Sequence, residues 1–204
     1  MSKQKLYKLA KQDLPRAAQC LREAFREDPL WSIIFKDDPD PEKTLNAFYM
    51  VHLLYGLKYG SVFATSADIE GVAVWVPDQY ADMSINRMLL SGALLQGMKM
   101  GKESVNNLSL MSKDLKPGRE KIMLGIPYNY LMIIGVSPAS QGKGLGNKLL
   151  ESMKEECSRQ SVQIYLETEP EDNLKFYEKH GFEVQQKVML SDFNVPMWQL
   201  TWQP

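Results

Sequence analysis

The chain has 204 residues, of which 44% are hydrophobic, 24% charged and 10% aromatic. These values are ordinary for a globular protein with a sizeable core, and they exclude disordered, collagenous and low-complexity chains. The 24 Lys and Arg residues nearly balance the 25 Asp and Glu residues, so the formal net charge of −1 carries no basic signature of nucleic-acid binding. Cys20 and Cys157 are too few for a disulfide scaffold, and no Cys/His spacing is typical of zinc ligands. We therefore expect no metal and a reduced, cytoplasmic setting.

The apolar segments are too short to cross a membrane. The longest, residues 88–100, is interrupted by polar side chains and falls short of the roughly 20 residues that a bilayer requires. Residues 1–11 are rich in lysine and lack the apolar run of a secretory signal. We expect a single domain over residues 1–204 that binds neither membrane nor nucleic acid.

The first half of the chain predicts helices around a β-hairpin. A helix that begins near Asp13 is expected to end before Pro29, because the residue that precedes a proline is pushed out of the helical conformation. Apolar residues recur at helical spacing over about 82–121, where we expect two or three helices with a break at Pro117. The other predicted elements of this half are strands at 6–9, 61–67 and 71–76 and a helix at 41–59.

Strands and helices alternate in the second half. The apolar run at 130–136 predicts a strand that is covered on both faces, and a loop rich in glycine follows at 137–146. Together the two halves predict a mixed α/β fold with helices on both faces of one sheet. The remaining predicted elements are helices from the loop to about 159 and over 172–180, and strands at 162–167, 184–190 and 197–202.

Three glycines at alternate positions distinguish the loop after the predicted central strand. Gly142, Gly144 and Gly146 permit positive φ angles and let successive backbone N–H groups point into one concavity. The next helix adds free N–H groups and the positive end of its dipole, and Lys143 adds charge, so the loop is suited to a phosphate or pyrophosphate. The loop lacks the Ser or Thr of a P-loop, and Asn147 stands where a dinucleotide fingerprint needs glycine. Neither ATP hydrolysis nor NAD binding is therefore supported.

The same loop resembles the acetyl-CoA signature of the GNAT N-acetyltransferase superfamily. Gln141, Gly144 and Gly146 match the pattern Gln/Arg-x-x-Gly-x-Gly/Ala, and residues 136–138 match the Val-x-Pro that precedes it. Residues 173–182 are similar to the family's Asn-x-x-x-Phe-Tyr-x-x-x-Gly-Phe segment, at the right separation from the loop. Because two motifs agree in register, the resemblance is much more specific than a lone glycine loop.

The resemblance covers about residues 130–184 and implies the fold in more detail. It implies a GNAT-type mixed, mostly antiparallel sheet with a helical insertion at about 82–121 before the central strand and a cofactor-binding core at about 128–190. Residues 25–31 and 71–77 also resemble the branch that contains puromycin N-acetyltransferase-like proteins, although this does not imply puromycin as the substrate.

The resemblance also implies an enzyme that moves an acetyl group from acetyl-CoA to a primary amine, which we expect to belong to a small molecule. Tyr177 is expected to protonate the departing thiolate, and a phenol has a suitable pKa for that step. Glu167 and Glu169 are the candidate bases, with a relayed water as the alternative, and we select Glu167. The implied cofactor contacts are Ile134, Gly135, Val136, Gln141, Gly142, Lys143, Gly144, Leu145, Gly146 and Asn173, the last on the same helix face as Tyr177.

Several questions remain open at the level of sequence. Direct transfer is favoured over an acyl-enzyme, because Cys157 falls on an apolar helix face and Cys20 has no histidine near it in the sequence. Asp28, Trp31 and Trp75 are candidate acceptor contacts, although a helix end explains Asp28 equally well and core packing is the default for both tryptophans. The alternative functions are a protein or peptide N-acetyltransferase and a catalytically silent acyl-CoA-binding sensor. Either a monomer or a homodimer fits.

Overall fold

The computed structural model describes residues 5–169 and 171–204, so the start of the lysine-rich segment 1–11 lies outside the described residues. Most strands belong to the second half of the chain, and a hairpin near the middle supplies two more. The described strands are β1 (Tyr7–Lys8), β2 (Ser61–Ala64), β3 (Gly71–Pro77), β4 (Tyr128–Val136), β5 (Gln163–Thr168), β6 (Glu183–Leu190) and β7 (Val195–Trp202).

The helices precede, interrupt and follow these strands. The helix predicted at 41–59 is present with those bounds, and the insertion at 82–121 contains three helices, as expected. The described α-helices are α1 (Leu14–Ala24), α2 (Pro29–Ile34), α3 (Pro41–Tyr59), α4 (Ile85–Ser91), α5 (Ala93–Gly97), α6 (Lys102–Ile122), α7 (Leu145–Gln160) and α8 (Glu171–Lys179).

The described strands form one sheet in the order β1-β2-β3-β4-β5-β7-β6. Only the β4–β5 pair is parallel among the described strands, and the other neighbours are antiparallel. Residues of β3 alternate between two cores: Val72 and Val74 pack with α1 and α3, whereas Ala73 and Trp75 pack with α7. The predicted mixed, mostly antiparallel sheet with helices on both faces is confirmed.

The bend in the chain before α2 differs from the prediction. The first helix ends at Ala24 rather than at Asp28. Asp28 is instead the N-cap of α2, where its Oδ1 accepts hydrogen bonds from the backbone N–H groups of Leu30 (3.0 Å) and Trp31 (3.4 Å). Because Pro29 at the first helical position needs no such partner, a local Asp-Pro signal begins a helix here rather than ending one.

Pro117 lies inside α6, so the predicted break at this residue is wrong. An interior proline removes one helical hydrogen bond and costs about 3 kcal/mol. Contacts with the sheet hold α6 in place: the Gln199 side chain of β7 donates from Nε2 to the carbonyl oxygen of Leu115 (2.8 Å). Gly118 permits this close approach, since a Cβ there would lie 2.1 Å from Gln199 Oε1.

The opening that houses the site arises where β4 separates from β5. The parallel pairing runs only from Tyr128 to Tyr130 of β4. Directly afterwards, a register shift against β3 leaves Met132 without a partner residue, and such a bulge bends its strand. Beyond Met132, β4 pairs only with β3 among the described strands. Along β4 buried residues alternate with half-buried ones, and of the half-buried residues Tyr130, Met132 and Ile134 line a cavity.

Candidate active site

A cleft of about 1170 Å³ lies at the gap between β4 and β5, and we call it the outer cleft. Its walls are the end of β4, the glycine loop, the start of α7, one face of α8 and the segment between α1 and α2. Tyr177 of α8 also lines it. The predicted cofactor contacts that line the outer cleft are Ile134, Gly135, Val136, Gln141, Gly142, Gly144, Leu145, Gly146 and Asn173.

The glycine loop holds the conformation that an anion site requires. Gly142 and Gly144 have φ angles of +75° and +74°, which an L side chain rarely adopts, although a Cβ at either position would meet no atom within 4 Å. Gly144 is the N-cap of α7 and offers no side chain to its first turn. The N–H groups of that turn therefore have no side-chain cap, and they lie beside the outer cleft at the positive end of a helix of 16 residues.

Two side chains of the glycine loop form hydrogen bonds with backbone groups of the protein. Gln141 donates from Nε2 to the carbonyl oxygen of Val136 (3.2 Å), which fastens the loop to the end of β4. Lys143 is exposed, donates from Nζ to the carbonyl oxygen of Ala139 (3.0 Å) and is absent from the wall of the outer cleft. The structure therefore does not place the Lys143 charge where the sequence predicted it.

A second cavity of about 170 Å³, the inner cavity, adjoins the outer cleft. Asp28, Asn173 and Tyr177 line both spaces and so mark their junction. Trp31 lines the inner cavity, in agreement with the prediction. Trp75 does not line either space: it is buried in the α7 core and stacks on Phe63, with ring centroids 5.3 Å apart.

Tyr177 is the predicted acid, and its surroundings keep it protonated. Its side chain is 7% exposed and packs edge-on against Phe176 and Phe182, with ring centroids 5.3 and 5.5 Å away. Burial raises the pKa of the phenol well above its ordinary value. The hydroxyl group is consequently a proton donor throughout the physiological range.

Glu167, the predicted base, lies in the inner cavity but is already engaged. Its Oε2 accepts a hydrogen bond from the Tyr130 hydroxyl, and its Oε1 accepts one from the Tyr165 hydroxyl (2.7 Å). The Arg119 guanidinium lies over the Tyr130 ring, 5.3 Å from its centroid, and pairs with Asp82. No pattern in the sequence indicates this network, because the β4–β5 pairing brings the two tyrosines together and the packing of α6 brings the arginine to them.

Asp28 and Glu169 form a half-buried carboxyl pair that lines the inner cavity. Burial, then the negative charge of Asp28 and a hydrogen bond to it, raise the pKa of Glu169 to about 8. Burial also raises the pKa of Asp28, although hydrogen bonds from Glu169 and from two backbone N–H groups of α2 oppose the increase. Because two neighbouring carboxyl groups do not readily ionise together, the pair keeps one proton between its two members at neutral pH and carries one negative charge. The sequence located both residues but not their contact.

The two cysteines are buried as free thiols. Burial raises the pKa of Cys20 and of Cys157 to about 11, so neither is a thiolate at neutral pH. No cluster of potential metal ligands occurs in residues 5–169 and 171–204. Within the same ranges, none of the helices combines the length and apolar character of a membrane-spanning segment.

Comparisons with known proteins point to an acetyltransferase. Residues 118–184 match the family model of the acetyltransferase (GNAT) domain. An uncharacterised N-acetyltransferase of Schizosaccharomyces pombe is 27% identical over 188 residues, which cover 89% of this chain and 75% of the relative.

Solved structures share the fold at low sequence identity. A histone acetyltransferase HPA2 and related acetyltransferase from Corynebacterium glutamicum has a TM-score of 0.64 and 21% identity over 98% of this chain and 95% of its own. Arylalkylamine N-acetyltransferase 2 from Aedes aegypti has a TM-score of 0.66 and 17% identity over 98% of both chains. Together the comparisons support the GNAT superfamily and an acyl-transferring enzyme, with the family model itself confined to residues 118–184. The puromycin-like branch stays a prediction.

The buried network around Glu167 predicts unequal effects of removing two cations that bind the same carboxylate. Asp82 pairs with Arg119, whose side chain is 9% exposed, and with Lys116, whose side chain is 42% exposed. Arg119→Met should lower the free energy of unfolding by about 2 kcal/mol, because it removes the buried cation that pairs with the half-exposed Asp82 and stabilises the charge of Glu167. Lys116→Met should lower it by less than about 1 kcal/mol. Urea denaturation of both variants tests the difference, and equal effects would contradict the network.

The raised pKa of Glu169 predicts a pH-dependent stability. Between the ordinary carboxyl pKa of 4.5 and the folded value of about 8, the folded chain binds more protons than the unfolded chain. The free energy of unfolding should therefore fall as pH rises through this window, relative to that of Glu169→Gln, which cannot ionise. Urea denaturation at several pH values measures this difference. Glu171→Gln, an exposed neighbour, is the control, and a Glu169→Gln profile parallel to that of the parent would refute the carboxyl pair.

Proposed function

We propose that the protein transfers the acetyl group of acetyl-CoA directly to the primary amine of a small molecule. One observation carries the proposal: a long cleft with an anion-binding loop opens, at Tyr177, into a small cavity with a negatively charged carboxyl pair. The outer cleft suits a nucleotide with an extended arm, and the inner cavity suits an ammonium group. When bound, acetyl-CoA supplies the thioester carbonyl carbon that the amine attacks.

The residues of the outer cleft fit acetyl-CoA. Backbone N–H groups from Gln141 to Gly146 and the first turn of α7 would hold the pyrophosphate, since positive φ angles and a helix N-terminus both favour an anion there. The edge of β4 around Ile134, which has no strand partner on the β5 side in the described chain, would pair with the amide groups of the pantetheine arm. Asn173 would add a side-chain hydrogen bond from α8.

Proton transfer is assigned to two groups at the junction. Tyr177 would give its proton to the thiolate that leaves, and its raised pKa keeps that proton available. The ionised carboxylate of the Asp28–Glu169 pair would accept the proton of the amine. We prefer it to Glu167, the base selected from the sequence, because both oxygens of Glu167 already accept phenolic hydrogen bonds. The high pKa of both buried thiols supports direct transfer rather than an acyl-enzyme.

The size of the inner cavity favours a small molecule over a protein or peptide as acceptor. Met111 and Leu115 of α6 line this cavity, so the insertion covers the acceptor side where a protein substrate would need an open groove. Solved neighbours named for small amines include the arylalkylamine enzyme and agmatine N-acetyltransferase, although a ribosomal-protein-S18-alanine N-acetyltransferase shares the fold too. Small amines are therefore the first acceptors to screen.

Calorimetric titration with acetyl-CoA and with CoA tests the cofactor site. Gly144→Asp should weaken binding by at least about 100-fold, because it adds a negative charge and a strained side chain where the pyrophosphate would lie. Gly125→Asp is the matched control, since Gly125 has a φ of +72°, has open space around it and lies outside the outer cleft. If both folded variants bind like the parent, or the parent does not bind, the loop is not the cofactor site.

Replacement of the acid separates an enzyme from a silent acyl-CoA-binding sensor. Tyr177→Phe should lower kcat by a factor of about 10²–10⁴ while the affinity for acetyl-CoA stays close to that of the parent, because only the transition state needs the phenolic proton. A thiol-release assay with primary amines measures the turnover, and titration measures the affinity. A parent protein that binds acetyl-CoA but releases no thiol with any amine would be a sensor.

A further inference from the structure

Two buried hydrogen-bond donors of the inner cavity have no partner among the described residues. They are the indole Nε1 of Trp31 in α2 and the hydroxyl of Tyr49 in α3. Tyr49 is 1% exposed. An unmade buried hydrogen bond costs about 1–3 kcal/mol, and folded proteins leave few of them. Two such donors on the wall of one cavity indicate that a bound ligand supplies the oxygen atom they lack.

His52 adds a hydrogen-bond acceptor to the same wall. Its Nδ1 lies 2.9 Å from the carbonyl oxygen of Phe48, so Nδ1 must carry the ring proton and Nε2 is left as an acceptor. Burial lowers the pKa of His52 to about 4, which keeps the ring neutral. The two rings of Phe48 and His52 lie 4.4 Å apart, beside Trp31 and Tyr49. A hydroxyl group, which both accepts and donates, matches this set of atoms.

The charge of the inner cavity sets the charge of its ligand. The Asp28–Glu169 pair carries one negative charge at neutral pH. The charge of Glu167 is already opposed by Arg119, which itself is paired with Asp82. One negative charge thus remains for one ammonium group. A second cation would find no partner, and a carboxylate would be repelled by the pair.

The volume limits the length of the ligand. A cavity of about 170 Å³ is close in size to the engineered cavity of about 150 Å³ that holds a benzene molecule in another protein, which corresponds to about six non-hydrogen atoms. An amino sugar or a peptide chain is too large for it.

We propose that the acceptor is a short-chain amino alcohol, with its ammonium group against Asp28 and Glu169 and its hydroxyl group among Trp31, Tyr49 and His52. This assignment rests on the proposed acetyl transfer and defines its substrate class. In the reaction the N–C bond forms as the C–S bond of the thioester breaks. The bound ammonium group first loses one proton to the ionised carboxylate of the Asp28–Glu169 pair, and the resulting amine attacks. Its second proton restores to Tyr177 the one that Tyr177 gives to the thiolate, and the hydroxyl is unchanged.

A panel of amines of nearly equal length tests the assignment. Thiol release from acetyl-CoA is measured with 3-aminopropan-1-ol, butylamine, 1,3-diaminopropane and β-alanine. We expect kcat/KM to be highest for 3-aminopropan-1-ol, because butylamine leaves the buried donors without a partner, the diamine buries a second cation and β-alanine buries a carboxylate. The preference over butylamine should be at least about tenfold.

Two variants connect this preference to the named atoms. Trp31→Phe and Tyr49→Phe each remove one donor and retain an aromatic ring, so each should reduce the ratio of kcat/KM for 3-aminopropan-1-ol over butylamine by about fivefold to tenfold. Trp75→Phe is the matched control, since it makes the same substitution in the core outside both cavities. This control should retain the parental ratio. Titration with acetyl-CoA shows that each variant is folded.

The outcomes separate this inference from the proposed function. The expected preference, lost in the two variants and kept in the control, supports it. A preference for another amine, or a ratio that neither variant changes, overturns it while acetyl transfer stands. Binding of acetyl-CoA without turnover of any of the four amines also overturns the amino-alcohol class. If the parent protein does not bind acetyl-CoA, the proposed function itself fails.

Discussion

The separation of β4 from β5 is the constraint on which the rest of the site depends. Two parallel strands that stayed paired to their ends would use their facing backbone N–H and C=O groups in hydrogen bonds with each other. The bulge at Met132 and the short pairing up to Tyr130 leave the edge of β4 free instead. Both strands end at this opening, so the glycine loop after β4 and α8 after β5 face each other across it. This defect in the sheet supplies both the space and the polar backbone groups that acetyl-CoA, the proposed co-substrate, would need.

The site stabilises its partly buried carboxyl groups in two different ways. Glu167 is stabilised by two phenols and by Arg119, which makes it part of the scaffold. Asp28 and Glu169 instead share a proton, because two neighbouring carboxyl groups that are partly removed from water do not both ionise. The one negative charge of the pair is therefore available to a ligand, whereas the charge of Glu167 is not. Such a difference between neighbouring carboxyls is typical of catalytic sites.

The helical insertion does more than cover the inner cavity. Its longest helix, α6, passes through Pro117 without a break, because contacts with β7 outweigh the lost backbone hydrogen bond. The same helix brings Arg119 to the Tyr130 ring and places apolar side chains on the wall of the inner cavity. Cavity size and the electrostatics of Glu167 are thus set by one element that lies far from the motifs in the sequence.

Features that depend on residues close together in the chain could be predicted from the sequence. Positive φ at Gly144 and the shared helix face of Asn173 and Tyr177 follow from local conformational rules, so the conformation of the loop and the common position of these two side chains could be predicted without coordinates. Only the packing of the folded chain determines which of the two tryptophans lines a cavity. Trp31 lines the inner cavity and Trp75 does not, although both lie in apolar segments. The same packing also determines the partners of buried polar groups, because hydrogen bonds and charge pairs between distant elements leave no periodicity along a single chain. The groups of this kind are Tyr49, His52, Arg119, Tyr130, Tyr165 and the contact between Asp28 and Glu169.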